Sequence, residues 1–114
     1  MIKNYSEEVK KIIEKYKKEN ITIGKEIDFL LKRNEVSREE IVSEILSCKN
    51  LFLTKKQVKD GETRYVLFFL YNNRKGRQYV ITFRDKELRI ITIFPLGRKT
   101  IKRYKKKGLN TLSS

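Results

Sequence analysis

At Cys48 the hydrophobic pattern of the chain changes its period, and this change limits the fold more than any other feature. Before it, apolar residues recur at helical spacing; after it come β-branched and aromatic runs broken by turn residues. In the first half, Ser6 is expected to cap a helix with Glu7 and Glu8 in its first turn. Val9, Ile12, Ile13 and Tyr16 then form one apolar stripe at i, i+3, i+4 and i+7. A second helix is expected from about residue 23 to residue 32, with Ile23, Ile27, Leu30 and Leu31 inward and Asn34 as its stop, although Gly24 is a poor helix former. The third has the best local signature. Ser37-Arg38-Glu39-Glu40 is a capping box, Val36 and Ile41 can staple its start, and Val42, Ile45 and Leu46 follow on the inward side.

Four strands are expected in the second half, near 51–58, 63–71, 79–84 and 88–94. Asp60-Gly61 makes a tight hairpin turn, Asn72 to Gly76 a looser one, and Asp85-Lys86-Glu87 a third. Connections this short require antiparallel neighbours. The run Tyr65-Val66-Leu67-Phe68-Phe69-Leu70-Tyr71 is apolar at both parities, so both faces of that strand need cover and it belongs in the centre of the sheet. Pro95 and Gly97 end the last strand. The expected fold is α+β, a single domain over 1–114. N-terminal helices pack on one face of a four-stranded antiparallel sheet, and 98–114 form a basic tail.

The formal net charge is +14, and all of the excess lies after Cys48. Up to that residue ten Lys/Arg face ten Asp/Glu; beyond it eighteen face four. A bias of the source toward Lys and Glu would spread both signs along the chain. Charge crowded into one half repels itself, and phosphates relieve that repulsion while condensed counterions are released. Nucleic acid is therefore the expected partner, RNA favoured over DNA; an acidic protein covering the basic face is the alternative. The expected binding residues are Arg64, Arg77 and Arg89 in the strands and Lys99, Lys102, Arg103, Lys105, Lys106 and Lys107 in the tail. With few apolar anchors near them, Lys105 to Lys107 are expected to be mobile point charges. Strand parity puts Val80, Thr82 and Arg84 on one face and Tyr79, Ile81 and Phe83 on the other. With helices over the Tyr79 face, Arg84 looks out of the open face beside Arg64 and Arg89, where a row of guanidinium groups can hold phosphates. The competing reading is that each arginine caps a strand end or pairs with Glu62 or Glu87.

Several chemistries are removed by what the chain lacks. It has no His, so no imidazole can act as acid, base or metal ligand, and no Ser-His or Cys-His dyad can form. Cys48 has no second Cys to pair with and no base to activate it, and reads as a small core residue. The four carboxylates after it, Asp60, Glu62, Asp85 and Glu87, fall in hairpin turns, where solvation explains them. The five Gly are isolated and build no phosphate loop. No metal and no cofactor is expected. No apolar run is long enough to span a membrane, and the first residues lack the apolar core of a signal peptide, so a reducing cytoplasm and no membrane are expected.

The segment Leu31-Lys32-Arg33-Asn34-Glu35-Val36-Ser37-Arg38-Glu39-Glu40-Ile41 looks like an Arg, turn, Ser-x-x-Glu helix start. It is followed by a strand near Leu51, the Tyr65 to Tyr71 strand, the Gly76-Arg77-Gln78-Tyr79-Val80-Ile81 strand and the Arg89-Ile90-Ile91-Thr92-Ile93 strand. In this order of parts, over roughly 27–94, the chain resembles the RelE/ParE superfamily of small toxins, and within it the RelE-like and BrnT-type domains. The resemblance implies a sheet with a basic concave face, metal-independent cleavage of messenger RNA by Lys, Arg and Tyr, and an acidic antitoxin as partner. It also implies catalytic roles for Arg84 and Arg98, where strand-borne and post-strand arginines of the family act, and for Tyr104, where a C-terminal aromatic acts. The chain departs from the pattern in lacking a His near the start of the domain and in adding the helix at Tyr5 to Lys18. The expected function is thus a RelE-like nucleic-acid-binding protein, with metal-independent cleavage of messenger RNA added only by the resemblance and left open by the residues themselves. The alternatives are a non-catalytic DNA- or RNA-binding regulator and an interaction protein covered by an acidic partner.

Overall fold

The structure, a computed structural model, describes residues 3–33 and 35–106. In chain order its elements are α1 (Ser6–Ile13), β1 (Ile21–Ile23), α2 (Asp28–Lys32), α3 (Arg38–Ser47), β2 (Leu51–Lys59), β3 (Glu62–Leu70), β4 (Gly76–Arg84), β5 (Glu87–Leu96) and α4 (Arg98–Tyr104), with single 3-10 turns at Lys18–Asn20 and Lys25–Ile27. The strands form one sheet in the order β1-β5-β4-β3-β2. β2 to β5 are an antiparallel meander, as their short turns require. Asp60 and Gly61 both take positive φ, 53° and 77°, the geometry that joins two strands without splaying them, and Asp85 does so at the third turn with φ 53°.

The expectation of a four-stranded antiparallel sheet is corrected by β1, which makes the sheet five-stranded and mixed. Ile21, Thr22 and Ile23 lie parallel to β5, opposite Leu88, Arg89 and Ile90, and the Gly24 amide extends the pairing to the Ile90 carbonyl at 2.8 Å. Ile23, the first residue of the expected second helix, is thus the last of this strand. Three β-branched residues favour extended backbone, but a strand this short shows no alternation. Gly24 is itself extended (φ −66°, ψ 157°), and only the five residues of α2 are α-helical. Asn34, the expected stop, lies outside the described residues.

Ser6 is also corrected. It lies inside α1 after Tyr5, and its hydroxyl donates to Asn4 Oδ1 at 2.7 Å and meets the Thr54 hydroxyl at 3.0 Å. The Asn4 carboxamide ties this segment to the edge of the sheet. Its Nδ2 donates to the Phe52 carbonyl (3.2 Å) and its Oδ1 accepts from the Thr54 amide (3.1 Å), while the Tyr5 amide donates to the Thr54 carbonyl (2.9 Å). Ser37 does cap α3, accepting from the Glu40 amide at 3.0 Å. Cys48 closes that helix in the left-handed region (φ 52°), and burial pushes its thiol pKa up.

The two parities of β3 enter two separate clusters. Tyr65, Leu67 and Phe69 pack with Val9 and Ile13 of α1, Ile41 and Ile45 of α3, and Tyr79, Ile81 and Ile90 of the neighbouring strands. Val66 and Phe68 pack on the opposite face with Leu53, Leu96 and Ile101 of α4. The segment read as a tail from residue 98 therefore begins with a docked helix, and helices are not confined to one side of the sheet. Ile101 is only 1% exposed, and the Tyr104 ring lies 4.6 Å from that of Phe68. Among the described residues no helix is long and apolar enough to cross a membrane.

A polar cluster joins α3 to the sheet. Tyr79 donates to Glu44 Oε1 at 2.6 Å, Tyr71 donates to Oε2 of the same carboxylate, and Arg77 approaches Glu44 at 3.4 Å and Glu40 at 2.7 Å. Burial first, and Glu44 second, push the phenols of Tyr79 and Tyr71 well above their ordinary range, so both stay protonated donors. Glu44→Ala would strand the buried Tyr79 hydroxyl and half of the charge compensation of Arg77. The expected loss is about 2–4 kcal/mol of unfolding free energy, read from the urea midpoint at constant slope.

Candidate nucleic-acid interface

Register decides which of the cations share a surface. Arg64 lies opposite Thr82, and Thr82 opposite Arg89, so the two arginines belong to one row across β3, β4 and β5. Arg84 is two residues beyond Thr82 on the same face and pairs with Glu87. The expected grouping of Arg64, Arg84 and Arg89 is thus present, and so is its competing reading. Glu62 takes Arg64 Nε on Oε1 at 3.0 Å and Arg84 Nε and Nη2 on Oε2 at 3.2 and 3.0 Å. Arg89 Nη1 is 3.5 Å from Glu87 Oε1. Two carboxylates therefore engage three guanidinium groups, which leaves little net charge for phosphate. The guanidinium of Arg64, and then that of Arg84, hold the Glu62 carboxyl below the usual carboxylate range.

The strongly positive surface lies elsewhere. α4 turns Ile101 and Tyr104 toward the sheet and exposes Arg98, Lys99, Lys102, Arg103 and, just beyond its end, Lys106. Lys105 donates to the Asn73 side chain, which brings the β3–β4 turn with Arg74 and Lys75 alongside the helix. Among the described residues, none of these eight cations lies within ion-pair distance of a carboxylate. The turn is held by Asn72, whose Oδ1 accepts from the Arg74 and Lys75 amides at 2.7 and 2.9 Å.

Other expected residues fall differently. Arg77 is corrected: it lies on the helix-covered face, engaged with Glu40, Glu44 and Tyr79, and belongs to the α3 anchor. Tyr104 is half-buried; its hydroxyl accepts from Lys55 Nζ at 3.1 Å, and that ammonium also sits 4.5 Å from the ring centre. Tyr104 rests on Phe68, whereas Arg84 is held at Glu62, six residues farther along β3, about 20 Å at the ordinary rise of a strand. The three residues expected to be catalytic, Arg84, Arg98 and Tyr104, are not gathered around one point. Lys107 lies outside the described residues. The sequence reading missed Lys55, Arg74 and Lys75. Lys55 shares parity with Leu53 on β2, a signal that was legible, while the approach of the β3–β4 turn to α4 is a tertiary contact with no local signal. No protein-family model, curated protein or solved structure matches this chain.

Glu62→Gln frees two arginines and removes one negative charge. If phosphate is the ligand of this surface, nucleic-acid binding should tighten by a few-fold, and the slope of log affinity against log salt should steepen by one to two units of about 0.9 each. The same variant has a pH signature. A carboxyl depressed in the fold contributes stability that is present above the ordinary Glu value of about 4.3 and is lost as pH falls through the lowered folded value. Denaturation midpoints should therefore fall less steeply in acid for Glu62→Gln than for the parent.

Proposed function

We propose that this protein binds nucleic acid through phosphate contacts made by α4 and the adjoining β3–β4 turn. The observation that carries the reading is the division of α4: two apolar side chains hold it to the sheet, and its outward positions are cations that no described carboxylate neutralises. A helix anchored in this way presents its charges at fixed spacing, so less entropy is lost on binding than with a free chain. The confinement of the +14 to the second half supports the same reading. Phosphate recognition of this kind positions a strand or duplex without reading its sequence.

Binding is proposed in preference to cleavage. Metal-independent cleavage, which kinship with the RelE/ParE toxins would bring, calls for Arg84, Arg98 and Tyr104 around one phosphodiester. A separation of about 20 Å between the anchoring points of Arg84 and Tyr104 does not serve that purpose.

The test is a salt titration of binding to a labelled RNA in EDTA. Affinity should fall steeply between about 50 and 200 mM salt. Lys102→Ala with Arg103→Ala should weaken binding and lower the salt slope by about two units, leaving the urea midpoint nearly unchanged because neither side chain enters the core. The RNA should remain intact. Salt-independent affinity would overturn the reading, and cleavage abolished by Arg84→Ala would replace it with the enzymatic one.

A further inference from the structure

The sheet face beside α4 carries an aromatic side chain that the phosphate contacts leave unused. Phe94 of β5 is 53% exposed on the sheet face, whereas Phe68 and Phe69 at the centre of the same sheet are buried. Register places it opposite Gln78, which is in turn opposite Phe68, so Phe68, Gln78 and Phe94 form one row across three strands. Phe68, at one end of the row, is covered by Tyr104; Phe94, at the other end, is uncovered. Leu96, two residues on along the same face of β5, already lies in the cluster under Ile101 of α4. Phe94 therefore stands at the rim of the basic helix.

Its neighbours on that face are polar and unspent. Among the described residues the Gln78 carboxamide makes no hydrogen bond, and the Thr92 hydroxyl, one row away opposite Val80, is shielded from water with no partner at all. One row farther on is Arg89. A flat ring flanked by an amide and a hydroxyl, with the cations of α4 alongside, has the composition of a site for a nucleobase: the ring stacks, the polar groups meet the base edge, and the α4 cations meet the flanking phosphate. Buried polar groups are ordinarily paired, and a base edge would supply the partner that Thr92 lacks.

We infer that the surface around Phe94 binds an unpaired nucleobase, so that the ligand of this protein is single-stranded nucleic acid. The inference rests on the proposed phosphate binding by α4 and adds what that binding cannot give, since phosphate contacts alone accept a duplex equally well. A base inside a duplex has both faces stacked and is closed to Phe94.

The experiment compares a 12-nucleotide single-stranded RNA, the DNA of the same sequence and the corresponding blunt duplex at one salt concentration. Phe94→Ala should weaken binding of the single strands about tenfold, within the range of one base–aromatic stack, and leave duplex binding and the salt slope unchanged. The chain has no Trp, so Phe94→Trp introduces a sole reporter; it should retain binding, and its emission should be quenched by the single strands. Tighter binding of either single strand than of the duplex supports the inference, and the difference between RNA and DNA reads the 2′-hydroxyl. If salt-dependent binding persists but Phe94→Ala changes nothing, or the duplex binds more tightly, the nucleobase site is overturned and phosphate binding stands. Absence of salt-dependent binding overturns both.

Discussion

β3 carries large apolar side chains at successive positions from Tyr65 to Phe69, all buried, so neither face of the sheet at its centre can be left to water. One face is covered by α1 and α3. The other would expose Val66 and Phe68 unless a further element covered it, and α4 does so with Ile101 and Tyr104. Burying such side chains is worth roughly 1.5–3 kcal/mol each, enough to order a helix too short to be stable alone. The placement of the positive charge follows from this requirement. Residues 98–106 hold six cations, and docking two apolar residues of that segment turns five of them outward together.

Much of the fold was legible because local chemistry and tertiary packing agree. Ser37, Asp60-Gly61 and the apolar run of β3 each act through a rule that needs only near neighbours in sequence. β1 and α4 were missed for a shared reason. Each is short, and each is held by contacts distant in sequence: Ile21 to Ile23 by β5, and Ile101 and Tyr104 by Leu96 and Phe68. A three-residue strand shows no period, and a run such as Lys102-Arg103-Tyr104-Lys105-Lys106 looks polar unless the i, i+3 pair Ile101 and Tyr104 is weighed against the uncovered face of β3. The same reasoning accounts for the site. Parity grouped Arg64, Arg84 and Arg89 correctly, but parity alone does not show which carboxylates their side chains reach.

The arginines of this chain thus fall into kinds that composition does not separate. Arg77 is largely withdrawn from water and held by two carboxylates, where removing a partner costs far more than the pair contributes. Arg64, Arg84 and Arg89 are partly solvated and share Glu62 and Glu87, a geometry that orders the sheet surface and lowers its field. The cations of α4 have neither role. They take no part in the core, and their effect is long-ranged and salt-dependent.

The Asn4 carboxamide on β2 has a consequence for how the chain behaves at high concentration. By donating to Phe52 and accepting from Thr54, it imitates the peptide group of a neighbouring strand and closes part of an edge that is otherwise open to strand addition. Farther along, that edge is lined by Lys55, Lys56 and Lys59, whose charges discourage a second copy from pairing. A polyanion that neutralises those lysines would remove the second safeguard and leave the first, so that the Asn4 carboxamide and the neighbouring Tyr5 amide would then stand alone between an isolated molecule and edge-to-edge polymerisation.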